Sequence, residues 1–226
     1  QVNTGTDFFE KMIEEKLLQE WGAEIKDFAK NEVIFSEGDS CHYYFQLISG
    51  MVKWVNLGDD GKEYLQTIIY PLQCVGELPL FDGGVYAATA VATTKSILLR
   101  LPKQRFTSLL EAYPKIHFLF SRLLTERLRF KFYLLNKMAT NQPENLIMGL
   151  LDYFKLNNTH IKTDESLIIL TRQQIADLTG LRVETVIRVI RNLHLTDKIT
   201  IKHGKIFMQN AFRNNTKPVN ELIPLY

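Results

Sequence analysis

From Thr171 to Leu193 the chain reads TRQQIADLTGLRVETVIRVIRNL, and within it four residues have the types and spacing to read the edges of base pairs. Glu184, Ile187, Arg188 and Arg191 fall on one side of a helical repeat. Val186, Val189, Ile190 and Leu193 occupy the other side at i, i+3, i+4 and i+7, the pattern of a buried stripe. An arginine can bond guanine O6 and N7, a glutamate can accept from cytosine N4, and each good bidentate contact is worth roughly 1–3 kcal/mol of discrimination. An exposed Ile187 suits contact with thymine methyls. The same Glu184–Arg188 spacing also fits an ordinary surface ion pair worth only about 0.2–0.5 kcal/mol.

The flanking residues favour the first reading. Thr171 followed by Gln174 forms a capping box, so a helix is expected to start there. Ile175, Ala176 and Leu178 face inward, and Gly180 supplies the tight turn between two helices. A second helix is expected from about Val183. Beyond it, two short strands between Lys198 and Met208 flank His203-Gly204-Lys205, which reads as a β-wing placed to reach phosphates.

The elements that must carry this unit follow from the rest of the chain. Its 226 residues suit two domains. Hydrophobic residues at 46% and charged residues at 23% call for packed globular structure. The net charge of +2 is unevenly spread: residues 1–114 carry −6, residues 115–140 carry +5 and residues 141–226 carry +3. An acidic first half with a basic second half fits nucleic-acid binding by the second. No apolar run approaches the roughly 18 residues of a membrane span. The acidic start lacks the basic-then-apolar order of a signal peptide, so a cytoplasmic protein without a membrane partner is expected. Two cysteines, Cys41 and Cys74, exclude an intrachain disulfide framework and a four-cysteine metal site. No nucleophile–base cluster, Gly-rich phosphate loop or metal-ligand spacing stands out, so neither an enzyme nor a metal site is expected.

Residues 6–30 read as short helices, with Phe8, Phe9, Met12, Ile13 and Leu17 at helical spacing. From Glu32 to Leu101 the pattern becomes β-rich: Val33–Phe35, Tyr43–Ile48, Met51–Asn56, Tyr64–Tyr70, Tyr86–Ala92 and Ser96–Leu101, separated by turn signals. An antiparallel barrel or jelly roll is the expected result, with a hairpin at Leu57–Lys62. Pro102 opens a helix that Pro114 interrupts. A longer helix follows from about Lys115 to Met138, and it is apolar on more than one face. One cover is the barrel. The other is expected to be the same helix of a second subunit, with Phe120, Leu124, Leu128, Leu135 and Met138 as interface candidates. Residues 138–143 read as a hinge. Pro143 restarts a helix whose buried face holds Leu146, Ile147, Leu150, Leu151 and Phe154, and a short strand is expected at 167–170.

With these motifs in place, the chain resembles the cAMP receptor protein/FNR (Crp/Fnr) family. The resemblance rests on TRQQIADLTGLRVETVIRVI, the HGK wing and GELPLF at 76–81, and on domain order along nearly the whole chain. It implies an α+β chain with a cyclic-nucleotide-binding-like antiparallel β-barrel (jelly roll) and N-terminal helices at 1–113. A dimerisation helix and hinge follow at 114–140, then a winged helix-turn-helix domain at 141–226. It implies a homodimeric transcription regulator on a roughly palindromic double-stranded operator, gated by a small effector in the barrel, with RNA polymerase as partner if it activates. Base-reading roles fall to Glu184 and Arg188, and backbone contacts to Arg172, Gln173 and Thr185. Arg182, Val183, Ile187, Arg191, His203 and Lys205 complete the DNA-binding set. Val183 stands where cAMP-type members carry an arginine, which resembles the FNR-type pattern.

The barrel departs from the cAMP-binding members. Effector-pocket candidates are Gly76, Glu77, Leu78, Tyr86, Ala87 and Ala88. Ala87 and Ala88 stand where those members hold the cyclic phosphate with an Arg-Ser/Thr pair, and a phosphate without its cation loses its strongest partner. Cyclic AMP is therefore not expected as the effector, whereas Glu77 is expected to remain able to bond a ribose or other hydroxyl. Two cysteines cannot hold the Fe–S cluster of oxygen-sensing FNR members. No histidine is positioned to indicate haem. The rival reading, a cyclic-nucleotide-binding module serving an enzyme or channel, calls for an intact phosphate arginine and no groove-facing helix.

Overall fold

A computed structural model describes residues 12–157, 159–162 and 166–209. It divides into two compact units inside one long helix, between Arg129 and Phe130.

The first unit opens with helix α1 (Glu15–Glu20) and strand β1 (Glu24–Phe28), followed by β2 (Val33–Phe35), β3 (Tyr43–Ser49), β4 (Val52–Leu57), β5 (Glu63–Ile69) and β6 (Cys74–Val75). The short helix α2 (Leu78–Asp82), β7 (Thr89–Ala92), β8 (Ser96–Pro102), helix α3 (Lys103–Ala112) and the first part of α4 (Lys115–Met138) complete it. The strands form two four-stranded sheets, β1-β8-β3-β6 and β2-β7-β4-β5, with antiparallel pairing throughout. β4 and β5 make the expected hairpin.

Period-two alternation gives each sheet two faces. Phe45, Leu47, Val52, Trp54, Ile69, Val75, Ala90 and Leu98 point between the sheets and form one core. On the outer face of β3 and β8, Tyr44, Leu99 and Leu101 meet Leu18, Phe106, Leu109, Ile116 and Phe120 from the helices. Gln46 lies in this second core with its amide satisfied. It donates to the Ile13 carbonyl at 2.8 Å and accepts from Ile13 N at 3.1 Å and from the Tyr44 hydroxyl at 2.7 Å. A buried amide paired in this way stabilises rather than costs, and it ties the segment before α1 to the sheet.

Three expectations need correcting, and two short elements add to those expected. Residues 24–28 are a strand rather than part of a helix. Gly22 adopts φ +87, which ends the helix, and the next five residues pair with β8 from Glu24↔Arg100 to Phe28↔Ser96. The seventh strand starts at Thr89 instead of Tyr86, because Tyr86 turns its ring into the first core. β6 and α2 give no periodic signal, being two and five residues long. Phe120 is not a subunit-interface residue: it is 1% exposed, with its ring 6.1 Å from Tyr44, 5.5 Å from Phe106 and 5.0 Å from Phe81. Phe8 and Phe9 lie outside the described residues.

The second unit contains the end of α4, then α5 (Pro143–Leu156), β9 (Ile161–Lys162), β10 (Leu167–Ile168), α6 (Arg172–Thr179), α7 (Val183–Leu195), β11 (Ile199–Lys202) and β12 (Lys205–Met208). Its sheet runs β11-β12-β10-β9, antiparallel. The end of α4 packs on α5: the Tyr133 hydroxyl donates to the Gly149 carbonyl at 2.9 Å, and Phe130 stacks near Tyr153 at 5.0 Å. Gly149 permits this approach, since a Cβ there would sit 3.0 Å from both the Tyr133 oxygen and Lys137 Cε. All five residues expected on the buried face of α5 are buried.

Truncating Phe120 removes a fully packed ring, so Phe120→Ala is expected to cost about 3–5 kcal/mol of stability. Urea unfolding checks the loss. Unchanged stability with altered subunit association would return Phe120 to an interface role.

Candidate nucleic-acid interface

The helix pair forms as its local sequence dictates. Thr171 Oγ1 accepts from Gln174 N at 3.1 Å, and Gln174 Oε1 accepts from Thr171 N at 2.8 Å, closing the capping box. Gly180 ends α6 with φ +71, a left-handed value that suits glycine. Arg182 is the N-cap of α7, extended in backbone, and its carbonyl accepts from Val186 N at 3.1 Å. Ile175, Ala176 and Leu178 of α6 and Val186, Val189, Ile190 and Leu193 of α7 are all buried.

That burial fixes the opposite face of α7 in solvent. Glu184, Arg188 and Arg191 are exposed, Val183 and Thr185 are partly covered, and Ile187 is 52% exposed. Among the described residues neither Glu184 nor Arg188 takes part in an ion pair, so the surface-bridge alternative does not form. The other end of the element is braced by Glu144 of α5, which receives Asn192 at 3.1 Å and Lys198 at 2.9 Å. Both partners hold the Glu144 carboxyl below the usual range, with Lys198 dominant.

The wing is present. β11 and β12 pair from Ile199↔Met208 to Lys202↔Lys205 around a two-residue turn in which His203 and Gly204 have φ +49 and +72. Two successive positive φ values match the right-handed twist of a hairpin. His203 and Lys205 are exposed at its tip. Lys202, beside them and equally exposed, is a residue that sequence reasoning missed; its place next to the basic turn was the available signal. Two α6 residues are already engaged. The Gln173 amide donates to Asp177 at 2.7 Å, and the Arg172 guanidinium donates to the Gly204 carbonyl. Burial lowers the Arg172 pKa.

The barrel candidates are brought together, but not as an open polar pocket. Gly76 has φ +76, and a Cβ there would lie 2.5 Å from the Phe35 ring and 2.7 Å from Tyr86. Tyr86 stacks on Phe35 with centroids 3.6 Å apart and planes 9° apart. Ala88 is buried, Leu78 lies half exposed at the start of α2, and Ala87 is exposed with its carbonyl accepting from Asn56 at 2.7 Å. Glu77 is fully buried. One carboxylate oxygen receives Arg127 of α4, and the other receives the Cys74 thiol at 3.5 Å. Each Glu77 oxygen, which was expected to be available to a ribose hydroxyl, already has one partner within the protein. Arg127 also lies 4.8 Å over the Trp54 ring. Sequence reasoning missed Arg127, although it stands one heptad after Phe120 on the covered side of α4. Burial, with Glu77 beside it, pushes the Cys74 thiol pKa well up. Cys41 is a second buried free thiol in the other core. Among the described residues no three His, Cys, Asp or Glu side chains gather as metal ligands. No described helix is long and apolar enough to cross a membrane.

The chain combines a two-sheet barrel, a 24-residue helix and a winged helix-turn-helix. Residues 25–113 match the family model described as "Cyclic nucleotide-binding domain". The chain is 29% identical over 192 residues to a CRP-like cAMP-activated global transcriptional regulator of Mycobacterium tuberculosis, covering 83% of this chain and 84% of that one. It is 26% identical to the transcriptional activator protein anr of Pseudomonas aeruginosa, covering 80% and 75%. The structure of FixK2 from Bradyrhizobium japonicum shares its fold at a TM-score of 0.70 and 18% identity, covering 83% and 93%. The chain is thus similar along most of its length to transcription regulators of the Crp/Fnr type, and residues 25–113 carry the cyclic nucleotide-binding domain match.

Breaking the Glu77–Arg127 pair from one side leaves a buried charge unpaired, which costs about 3–5 kcal/mol. Arg127→Ala is expected to lose that much in denaturant unfolding, whereas Arg127→Met with Glu77→Leu recovers most of it. Equal losses in both variants would show that packing, not charge pairing, holds this site.

Proposed function

We propose that the chain is a homodimeric, sequence-specific DNA-binding regulator that reads a roughly palindromic operator with α7. The single observation that carries this reading is the open face of α7, where Glu184, Ile187, Arg188 and Arg191 stand in solvent opposite a fully buried stripe. One such helix fits a major groove, and its carboxylate and guanidiniums complement base-edge donors and acceptors. Thr185, Arg182 and the wing residues His203 and Lys205 border that face and supply phosphate contacts, which orient without reading sequence. The naming of the relatives as transcription regulators supports the same reading. If the protein activates, RNA polymerase is its further partner.

Pairing through α4 supplies the second half-site reader. Phe118, Leu128, Phe132 and Leu135 are 75%, 55%, 63% and 62% exposed. With Ser121 and Thr125 they alternate at three- and four-residue steps, the seam of a two-stranded coiled coil. Leu128 and Leu135, expected at the interface from sequence, belong to this seam. Phe118 and Phe132 replace Phe120, while Leu124 and Met138 are partly covered. Two subunits then present α7 to half-sites about 34 Å apart.

Cyclic AMP is not the signal in this reading. Ala87 and Ala88 offer a cyclic phosphate no cation, and the partly covered Arg127 is paired with Glu77.

Selection from random duplexes by the purified chain is expected to yield an inverted repeat. Arg188→Ala and Glu184→Ala are each expected to relax preference at defined positions, losing about 1–3 kcal/mol of discrimination there. Undiminished preference in both variants would remove the reading helix from α7. Phe132→Glu with Leu135→Glu is expected to give monomers in sedimentation; an intact dimer would place the subunit contact elsewhere.

A further inference from the structure

Arg172 opens α6, where a phosphate-contacting arginine is expected to point into solvent. Instead its guanidinium reaches across to the Gly204 carbonyl, at the tip of the wing 32 residues later. Among the described residues this is the one side-chain hydrogen bond that reaches the turn formed by Lys202 to Lys205. The base of the hairpin is held differently, by the pairing of β12 with β10 and by burial of Ile206 and Met208. The tip has no buried side chain of its own: residues 202–205 are all exposed. Beyond its strand pairing, such a turn takes its orientation from the side chains that bond its carbonyls. A guanidinium is suited to that task, because its five N–H groups are fixed in one plane and one of them can hold a carbonyl while others remain for an anion.

We infer that Arg172 is a positioning residue for the wing: by holding the Gly204 carbonyl it sets His203 and Lys205 on the phosphate track that passes the start of α6. This rests on the DNA-binding reading proposed above and deepens it. The consequence is that removing Arg172 also weakens phosphate binding by other residues. A residue acting alone on one phosphate does not do this, and the two cases differ in counterion release. Each phosphate neutralised contributes about 0.9 to the slope of log K against log salt. Taking away one phosphate partner per subunit lowers the slope by about 2, whereas disabling Arg172 together with Lys205, the charged wing residue, lowers it by about 4.

The test uses the full chain and its selected duplex, with affinity measured across a salt series. The proteins are the wild type, Arg172→Ala, a His203→Ala/Lys205→Ala pair and the triple variant. Arg172→Ala is expected to lower the slope by clearly more than about 2, the value for one phosphate partner per subunit. The triple variant is expected to match it rather than add to it. A second measurement needs no DNA. In hydrogen exchange, the amide of Lys205, which pairs with Lys202 across the turn, is expected to exchange faster in Arg172→Ala, with those of α7 unchanged. A slope decrease near that single-partner value that adds to the decrease in the wing pair, or a Lys205 amide that exchanges at the wild-type rate, overturns the inference. If the wild type binds no duplex, the DNA-binding reading fails, and the exchange measurement still decides whether Arg172 holds the wing.

Discussion

Everything the second unit presents to solvent depends on one apolar stripe. Val186, Val189, Ile190 and Leu193 give α7 a single buried side, and Leu146, Ile147, Leu150, Ile175 and Leu178 of the neighbouring helices are buried with them in the same unit. A helix committed to burial along one side has no freedom to rotate, so Glu184, Ile187, Arg188 and Arg191 are held outward by packing and not by bonds of their own. Side chains that form no ion pair with one another are thereby placed reproducibly. The Glu144–Lys198–Asn192 bonds add a brace at the far end, outside the reading face.

In the first unit the corresponding constraint is the pairing of Glu77 with Arg127. A carboxylate with no exposure demands a cation and hydrogen-bond donors. Here α4 supplies the guanidinium, and Cys74 supplies the thiol. Trp54 packs its ring against the Arg127 group, and the neighbouring space is occupied by the Phe35–Tyr86 stack that glycine at position 76 makes possible. The barrel's buried carboxylate is thus paired from within the chain. That arrangement also pushes the Cys74 thiol pKa up, first by burial and then by the facing anion, which disfavours the reactive thiolate.

The winged helix-turn-helix was legible because its determinants are local. The Thr171/Gln174 box, the left-handed Gly180, the four-residue stripe of α7 and the basic wing turn are separated by few residues, and short-range sterics and helical period suffice to specify them. The strands from Val33 to Leu101 were legible for the same reason, with turn residues marking most ends. What escaped was short or long-range. A strand at 24–28 exists because β8, far later in the chain, offers it hydrogen-bond partners.

By itself, then, the order of residues determined the class of fold, helix α7 and its outward face, since periodicity and capping act within a few turns of chain. Tertiary structure alone decided that Phe120 belongs to a core, that Glu77 is spoken for by Arg127, and that Arg172 reaches Gly204. Each of these joins residues from 14 to 76 positions apart. Spacing in sequence carries no trace of such pairings, because the distance between two side chains there is set by how whole elements pack.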